Sequence, residues 1–194
     1  MLKLGIIGTN WITQQFIDAA NASGEWQLTT VYSRQMARAK AFAATNHAPE
    51  TFDELTQFFA KGSFDAVYIA SPNSLHFEQA KLALAYEKHV IVEKPAVTNP
   101  VEFSELDACL AAHPHCLLFE AARQIHEVNF KQIQAQLAKM PQIQGATLTY
   151  MKYSSRYDAV LAGETPNVFS LKFAGGALQD LGVYLAYDLS LIHI

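Results

Sequence analysis

The sequence predicts an α/β fold. A doubly wound parallel sheet is expected over residues 1–119. The start of an α+β domain with an open, largely antiparallel sheet is expected over residues 120–194. Three observations predict this. The first half alternates short apolar runs with stretches of helical periodicity, and such units build parallel sheets covered on both faces. Residues 2–8 make a short apolar run, as a strand buried on both faces should. After Glu120 the pattern changes to an alternating run, typical of a half-exposed antiparallel strand.

Residues 2–8 form the first apolar run, and 11–22 follow with Ile12, Phe16 and Ala19 at helical spacing. Residues 28–33 read as a strand and 35–44 as a helix. Thr51 and Glu54 have the spacing of a capping box opening a helix through Phe59. Residues 65–71 are a strand, 74–86 a helix and 89–93 a strand. Asn99, Pro100 and Glu102 give an N-cap, a first-position proline and a reach-back carboxylate for a helix to about Ala112. Residues 115–119 read as a strand. In parallel sheets ligands bind outside the carboxyl ends of the strands, which directs attention to Gly8, Ser33, Ser71 and Glu93.

The second part reads differently. Residues 121–140 suit a long helix with Phe130, Ile133 and Leu137 on one face, stopped by Pro141. Residues 145–153 alternate as a strand does, and 168–173 read as another. Gly175 and Gly176 lead into a helix over 177–189. Two strands and two helices do not readily close a separate core.

Composition narrows the functions. The 194 residues fit one full domain and part of a second, at roughly 100–200 residues each. Hydrophobic residues make up 51% and charged residues 16%, which excludes a disordered chain. With 14 basic and 18 acidic residues the net charge is −4, and no basic stripe exists to neutralise a nucleic acid. No apolar run approaches the roughly 20 residues of a membrane span. Residues 1–5 lead straight into a strand pattern without room for a signal peptide, so a cytoplasmic protein is expected. Cys109 and Cys116 then read as reduced thiols. The histidines form no metal-binding array, and no metal is expected.

Four constellations carry chemistry. Gly8-Thr9-Asn10-Trp11-Ile12-Thr13 sits between the first strand and helix, where a dinucleotide fingerprint wants glycine at positions 8, 10 and 13. Gly8 makes the tight turn. Asn10 stands in for the second glycine because asparagine tolerates left-handed backbone angles. Thr13 is bulkier than the close helix–strand packing calls for. Alone, this half fingerprint fits an ordinary strand-to-helix turn equally well. At the next strand end stand Ser33 and Arg34, with Arg38 four residues on, and no acidic residue for a ribose 2′-OH. A hydroxyl and fixed cations suit a 2′-phosphate instead, so NADP(H) is expected over NAD(H). Ser71-Pro72-Asn73 with His76, and Glu93-Lys94-Pro95, follow two further strands. Lys94 leaves an apolar sheet where a solubilising lysine is out of place, and its ammonium suits a substrate oxygen. Finally Asp180 and Tyr184 are four apart after the double glycine. On a helix they share a face, and a carboxylate beside a phenol can hold a hydroxyl and move its proton.

Taken together and in this order, these pieces resemble the glucose–fructose oxidoreductase/inositol dehydrogenase (Gfo/Idh/MocA) family. The Glu93-Lys94-Pro95 element and the later Gly175-Gly176 with Asp180-x-Gly182 are specific to this family, and Glu120-Ala121 and Tyr184 match as well. The resemblance implies a Rossmann-type nucleotide domain followed by a substrate and oligomerisation domain. It also implies hydride transfer between NAD(H) or NADP(H) and a carbinol or carbonyl carbon of a sugar, polyol or related ring, with NADP(H) favoured here by Ser33 and Arg34. It implies Lys94, Asp180 and Tyr184 as the catalytic group, with Tyr184 as general acid/base. Gly8 to Ile12, Ser33, Arg34, Arg38, Ser71 to Asn73, His76 and Glu93 to Pro95 are implied to hold the cofactor. Many family members carry histidine at the position of Tyr184. The tyrosine resembles the glucose–fructose oxidoreductase and dihydrodiol dehydrogenase branch. Members run well beyond this length, so a C-terminally truncated chain is expected, one that self-associates into a homo-oligomer. The rival readings are a cofactor-binding regulator without turnover and an inactive fragment of the enzyme.

Overall fold

The computed structural model describes residues 1–192. The chain divides into two units, Met1–Glu120 and Ala121–Ile194.

In the first unit, the apolar run at the N-terminus becomes β1 (Leu2–Ile7), with Leu4, Ile6 and Ile7 buried. Five more strands join it: β2 (Trp26–Tyr32), β3 (Glu50–Phe52), β4 (Ala66–Ile69), β5 (His89–Val92) and β6 (Leu118–Glu120). The order is β3-β2-β1-β4-β5-β6 and every pairing is parallel. This is the doubly wound Rossmann arrangement, and its order reverses between β1 and β4. The register aligns Tyr32, Ile7, Ile69 and Val92 across four strands. The residues that follow them, Ser33, Gly8, Ala70 and Glu93, therefore leave the sheet along one edge. That edge contains the switch point where ligands of such sheets bind.

The helices of this unit are α1 (Trp11–Ser23), α2 (Met36–Asn46), α3 (Leu55–Lys61), α4 (His76–Ala85) and α5 (Pro100–Ala112). A short 3₁₀ turn, Asn73–Leu75, precedes α4. In α1 the buried face is Thr13, Ile17 and Ala20, one residue along from the expected Ile12, Phe16 and Ala19. Thr13 can lie in the core because its hydroxyl bonds to the Asn10 side chain at 3.3 Å. Phe16 flanks this face and stacks on Tyr68 of β4, with ring centres 3.9 Å apart. Asn99 caps α5 by accepting from the N–H groups of Val101 and Glu102, with Pro100 in the first turn, as expected. The Glu102 carboxylate reaches back one residue further, to the N–H and hydroxyl of Thr98. Phe58, Phe59 and Phe64 fill the core beneath α3, with Phe58 and Phe64 ring centres 4.6 Å apart.

Two expectations here are corrected. Thr51 and Glu54 do not form a capping box. Thr51 pairs with Val31 in edge strand β3, and α3 opens at Leu55 without a side-chain cap. β3 is held at this edge by Glu50, whose carboxylate accepts from the Thr30 hydroxyl and the Ser63 N–H, each at 2.8 Å. β6 starts at Leu118 rather than 115, because a turn from His113 to Cys116 uses those residues first.

The second unit holds a 3₁₀ turn (Arg123–His126), α6 (Val128–Leu137), α7 (Tyr157–Leu161) and α8 (Val183–Ser190). The long helix expected over 121–140 is interrupted at Glu127, whose backbone is extended. Neither expected strand is present. Residues 145–153 carry no ladder, and 168–173 fall into two 3₁₀ turns, Asn167–Phe169 and Leu171–Phe173. A strand exists only through hydrogen bonds to a neighbour, and none of the described residues of this unit supplies one. The double glycine closes these turns. A Cβ on Gly175 would lie 2.5 Å from the Val168 carbonyl, and the Gly176 N–H donates to that carbonyl at 2.7 Å. The helix expected over 177–189 opens with a π-helical turn, Leu178–Gly182, before α8.

Candidate nucleotide and active site

The switch point is built from glycine, asparagine and a carbonyl. Gly8 has φ +106, and a Cβ there would lie 2.6 Å from the Ala70 carbonyl oxygen. Only glycine lets the β1 exit approach the β4 exit so closely. Asn10 does not use a left-handed backbone, as the sequence suggested. Its φ is −105, in the extended region. Its side chain does the work instead. Oδ1 accepts from the N–H groups of Ile12 and Thr13, and Nδ2 donates to the Ala70 carbonyl at 2.9 Å. Trp11 stands exposed at the start of α1.

At the β2 exit, Ser33 is half-buried, while Arg34 and Arg38 are exposed. The Ser33 N–H is taken by the Phe52 carbonyl, and its hydroxyl receives the Gln35 N–H. Burial pushes the nearby Tyr32 phenol up, with the Arg34 cation acting against it.

The loops after β4 and β5 are joined through His76. Its ring is 1% exposed. Nε2 lies 2.8 Å from the Ser71 carbonyl and Nδ1 lies 2.8 Å from the Pro95 carbonyl. A neutral imidazole donates to only one of two such acceptors. Burial holds this histidine below its ordinary range, against the Pro95 and Ser71 carbonyls and the Glu93 and Glu120 carboxylates. Around this bracket, the Ser71 hydroxyl donates to Gln79, the Tyr68 phenol donates to Glu93 at 2.6 Å, and the Ala96 N–H donates to Glu120. The Lys94–Pro95 peptide is cis. Lys94, the residue singled out for its ammonium, sits in the middle of this held loop and is half-buried.

Asp180 and Tyr184 belong to the second unit. Asp180 lies inside the π-helical turn and Tyr184 on α8, so the two are not on one regular α-helical face. The carboxylate that does share the α8 spacing with Tyr184 is Asp188, four residues on. Both line a cleft of about 270 Å³ with Arg123, Gln124, Glu127 and Tyr150. Tyr150 stacks on Tyr184 with ring centres 5.1 Å apart. Burial pushes the Asp188 carboxyl up. Both polar atoms of the Gln124 amide are buried without a hydrogen-bond partner among the described residues.

Sequence reasoning thus found the strand-exit residues of the first unit. It gave no role to Ala70 or Tyr68, which help to hold them in place, or to Asp188 and Gln124, and it noted Glu120 only as part of the Glu120-Ala121 match. Ala70 acts only through its carbonyl, so its residue type carries no signal. Asp188 could have been found by counting four forward from Tyr184 as well as four back. Among the described residues no group of three or more His, Cys, Asp or Glu is placed to hold a metal ion. No helix among them is long and apolar enough to cross a membrane.

Fold and switch point together define a Rossmann-type domain, and the comparisons with known proteins agree. Residues 2–121 match the family described as GFO_IDH_MocA, an oxidoreductase family with an NAD-binding Rossmann fold. The chain belongs to this family. A Bacillus subtilis relative, scyllo-inositol 2-dehydrogenase (NADP(+)) IolU, is 43% identical over 187 residues, covering 96% of this chain and 57% of the relative. The chain thus spans little more than half the length of that curated relative. The crystal structure of KijD10, a 3-ketoreductase from Actinomadura kijaniata in complex with NADP, superposes with a TM-score of 0.66. It is 28% identical, and the match covers 71% of this chain and 44% of that one. Apo scyllo-inositol dehydrogenase from Lactobacillus casei shares the fold at a TM-score of 0.67 and 19% identity, over 72% of this chain and 42% of that one.

Proposed function

We propose that this chain is the nucleotide-binding part of an NADP(H)-dependent dehydrogenase. Its substrate is a carbinol or carbonyl carbon of a sugar, cyclic polyol or related ring. The observation that carries the cofactor reading is the β2 exit. Arg34 and Arg38 stand exposed there beside Ser33, and none of residues 33–38 is an acid that would take a ribose 2′-OH. The residues fit a dinucleotide in a second respect, since Gly8 leaves no side chain between the phosphate turn and the β4 exit. The relative whose name specifies NADP(+) and the neighbour that binds NADP support the same choice. The relative's name also supports a cyclic polyol of the scyllo-inositol kind as substrate.

In this reading Gly8, Thr9, Asn10, Trp11 and Ile12 form the phosphate turn. Ser33, Arg34 and Arg38 bind the 2′-phosphate. The loops of Ser71, Pro72, Asn73 and His76 and of Glu93, Lys94 and Pro95 border the reactive end. The nicotinamide, when bound, supplies or accepts the hydride. Tyr184 passes the hydroxyl proton as general acid and base. Lys94 orients the substrate oxygen and stabilises the negative charge that develops on it. Asp180 positions the substrate. A homo-oligomer acting in the cytoplasm belongs to this reading.

Fluorescence titration with NADPH and NADH tests it. NADPH is expected to bind more tightly than NADH, and Arg34→Ala to remove most of the difference. Equal affinity for both cofactors, unchanged by the substitution, would overturn the NADP(H) assignment.

A further inference from the structure

The second position of the glycine fingerprint is Asn10, and its side chain performs a task that glycine cannot. Its Oδ1 accepts from the N–H of Ile12 at 3.0 Å and of Thr13 at 3.2 Å. Its Nδ2 donates to the Ala70 carbonyl at 2.9 Å. The same carbonyl stands 2.6 Å from where a Cβ on Gly8 would lie. Gly8 therefore omits the atom that would push the turn off β4, and Asn10 supplies the bond that keeps it there.

We propose that Asn10 is a positioning residue for the cofactor. Through Ala70 it fixes the turn at residues 8–10 against the β4 exit, so the backbone N–H groups of the turn meet the pyrophosphate already in place. The inference rests on the reading of this turn as the nucleotide loop. Two physical arguments support it. A loop held in its bound shape loses less conformational entropy when the ligand arrives. A glycine at this position would add backbone freedom and supply no tie. The extended φ of −105 is open to any residue, so asparagine occupies the position without strain. The departure from the fingerprint thus exchanges a bare backbone for a tethered one. The side chain acts through the main chain rather than by touching the phosphates.

Asn10→Ser separates the two bonds. Serine caps a helix about as well as asparagine, but it is too short to reach the Ala70 carbonyl. NADPH binding and the melting temperature of the cofactor-free protein are measured for wild type, Asn10→Ser and Asn10→Gly. Affinities are compared at a temperature where all three are folded. Asn10→Ser is expected to weaken NADPH binding by about three- to tenfold, the scale of one neutral hydrogen bond, and to lower the melting temperature of the cofactor-free protein by a few degrees, because the tie to Ala70 is made there too. Asn10→Gly is expected to weaken binding at least as much. Wild-type affinity in Asn10→Ser overturns the inference, whatever its melting temperature. Tighter binding in Asn10→Gly also overturns it, because the asparagine would then be competing with the pyrophosphate for the Ile12 N–H. Wild-type protein that does not bind NADPH at all overturns instead the functional reading beneath it.

Discussion

His76 sits 1% exposed between two carbonyls, and its charge state matters to the fold. Burial holds its pKa below the ordinary 6.5, although the carbonyls and the Glu93 and Glu120 carboxylates pull the other way. The folded protein therefore binds this proton more weakly than the unfolded chain does. The stability it contributes is fully present above the unfolded value, and is lost as pH falls from there through the folded value. Glu50 acts in a lower window. Burial alone would raise it, but hydrogen bonds from Ser63 and Thr30 and the charge of Lys3 hold it below 4.5. Melting temperature is thus expected to decline as pH drops from about 7 towards 5, ahead of the carboxylate transition. The decline should flatten in His76→Gln, which carries no titrating group. Equal slopes in the two proteins would remove His76 from this linkage. The residue scale also shows what a sequence hides. Asn10 was visible as a departure from a fingerprint, yet its hydrogen bond to a backbone carbonyl 60 residues away was not.

Elements were legible where local chemistry set them. β4 is a continuous apolar run, β1 and β5 are apolar apart from Lys3 and His89, and buried parallel strands look like that whatever surrounds them. α5 announced itself through Asn99 and Pro100 because capping is a contact between near neighbours. Asn99→Ala is expected to destabilise the first unit by about 1 kcal/mol, measured as a lower denaturation midpoint with an unchanged slope. An unchanged midpoint would show that Glu102, through Thr98, holds the helix start without the cap. Elements set by distant pairing were not legible. β3 is three residues long and exists because β2 lies beside it. The opposite failure occurred at 145–153 and 168–173, where alternation and β-propensity suggested strands but no neighbour was available to pair. Gly175 and Gly176, read as a helix lead-in, turn the chain back onto Val168 instead. The expected α-helical spacing of Asp180 and Tyr184 was altered in the same way, by a π-helical turn that no residue in it betrays.

At the scale of the molecule, the core is unevenly shared. Among the described residues, the buried hydrophobic side chains lie between Leu4 and Ala122. The second unit thus contributes helices and turns but almost no interior. Several of its large apolar side chains are instead exposed, with Leu171 at 91%, Met151 at 86% and Leu178 at 83%. Burial of such groups is the main favourable term in folding and association, worth roughly 25 cal/mol for each Å² removed from water. Soluble monomers rarely leave large contiguous apolar surface uncovered. The chain is therefore expected to self-associate in solution. Light scattering over a range of concentrations should show species above 21.5 kDa. Leu171→Lys combined with Leu178→Lys should shift them towards the monomer. Hydrogen exchange gives an independent check, since amides of α8 should be protected only in the associated form, while those of β1 stay protected in both. A monodisperse monomer in which α8 is protected as strongly as β1 would mean that the second unit holds itself together with turns and helix bonds alone, and the expectation of self-association would fall.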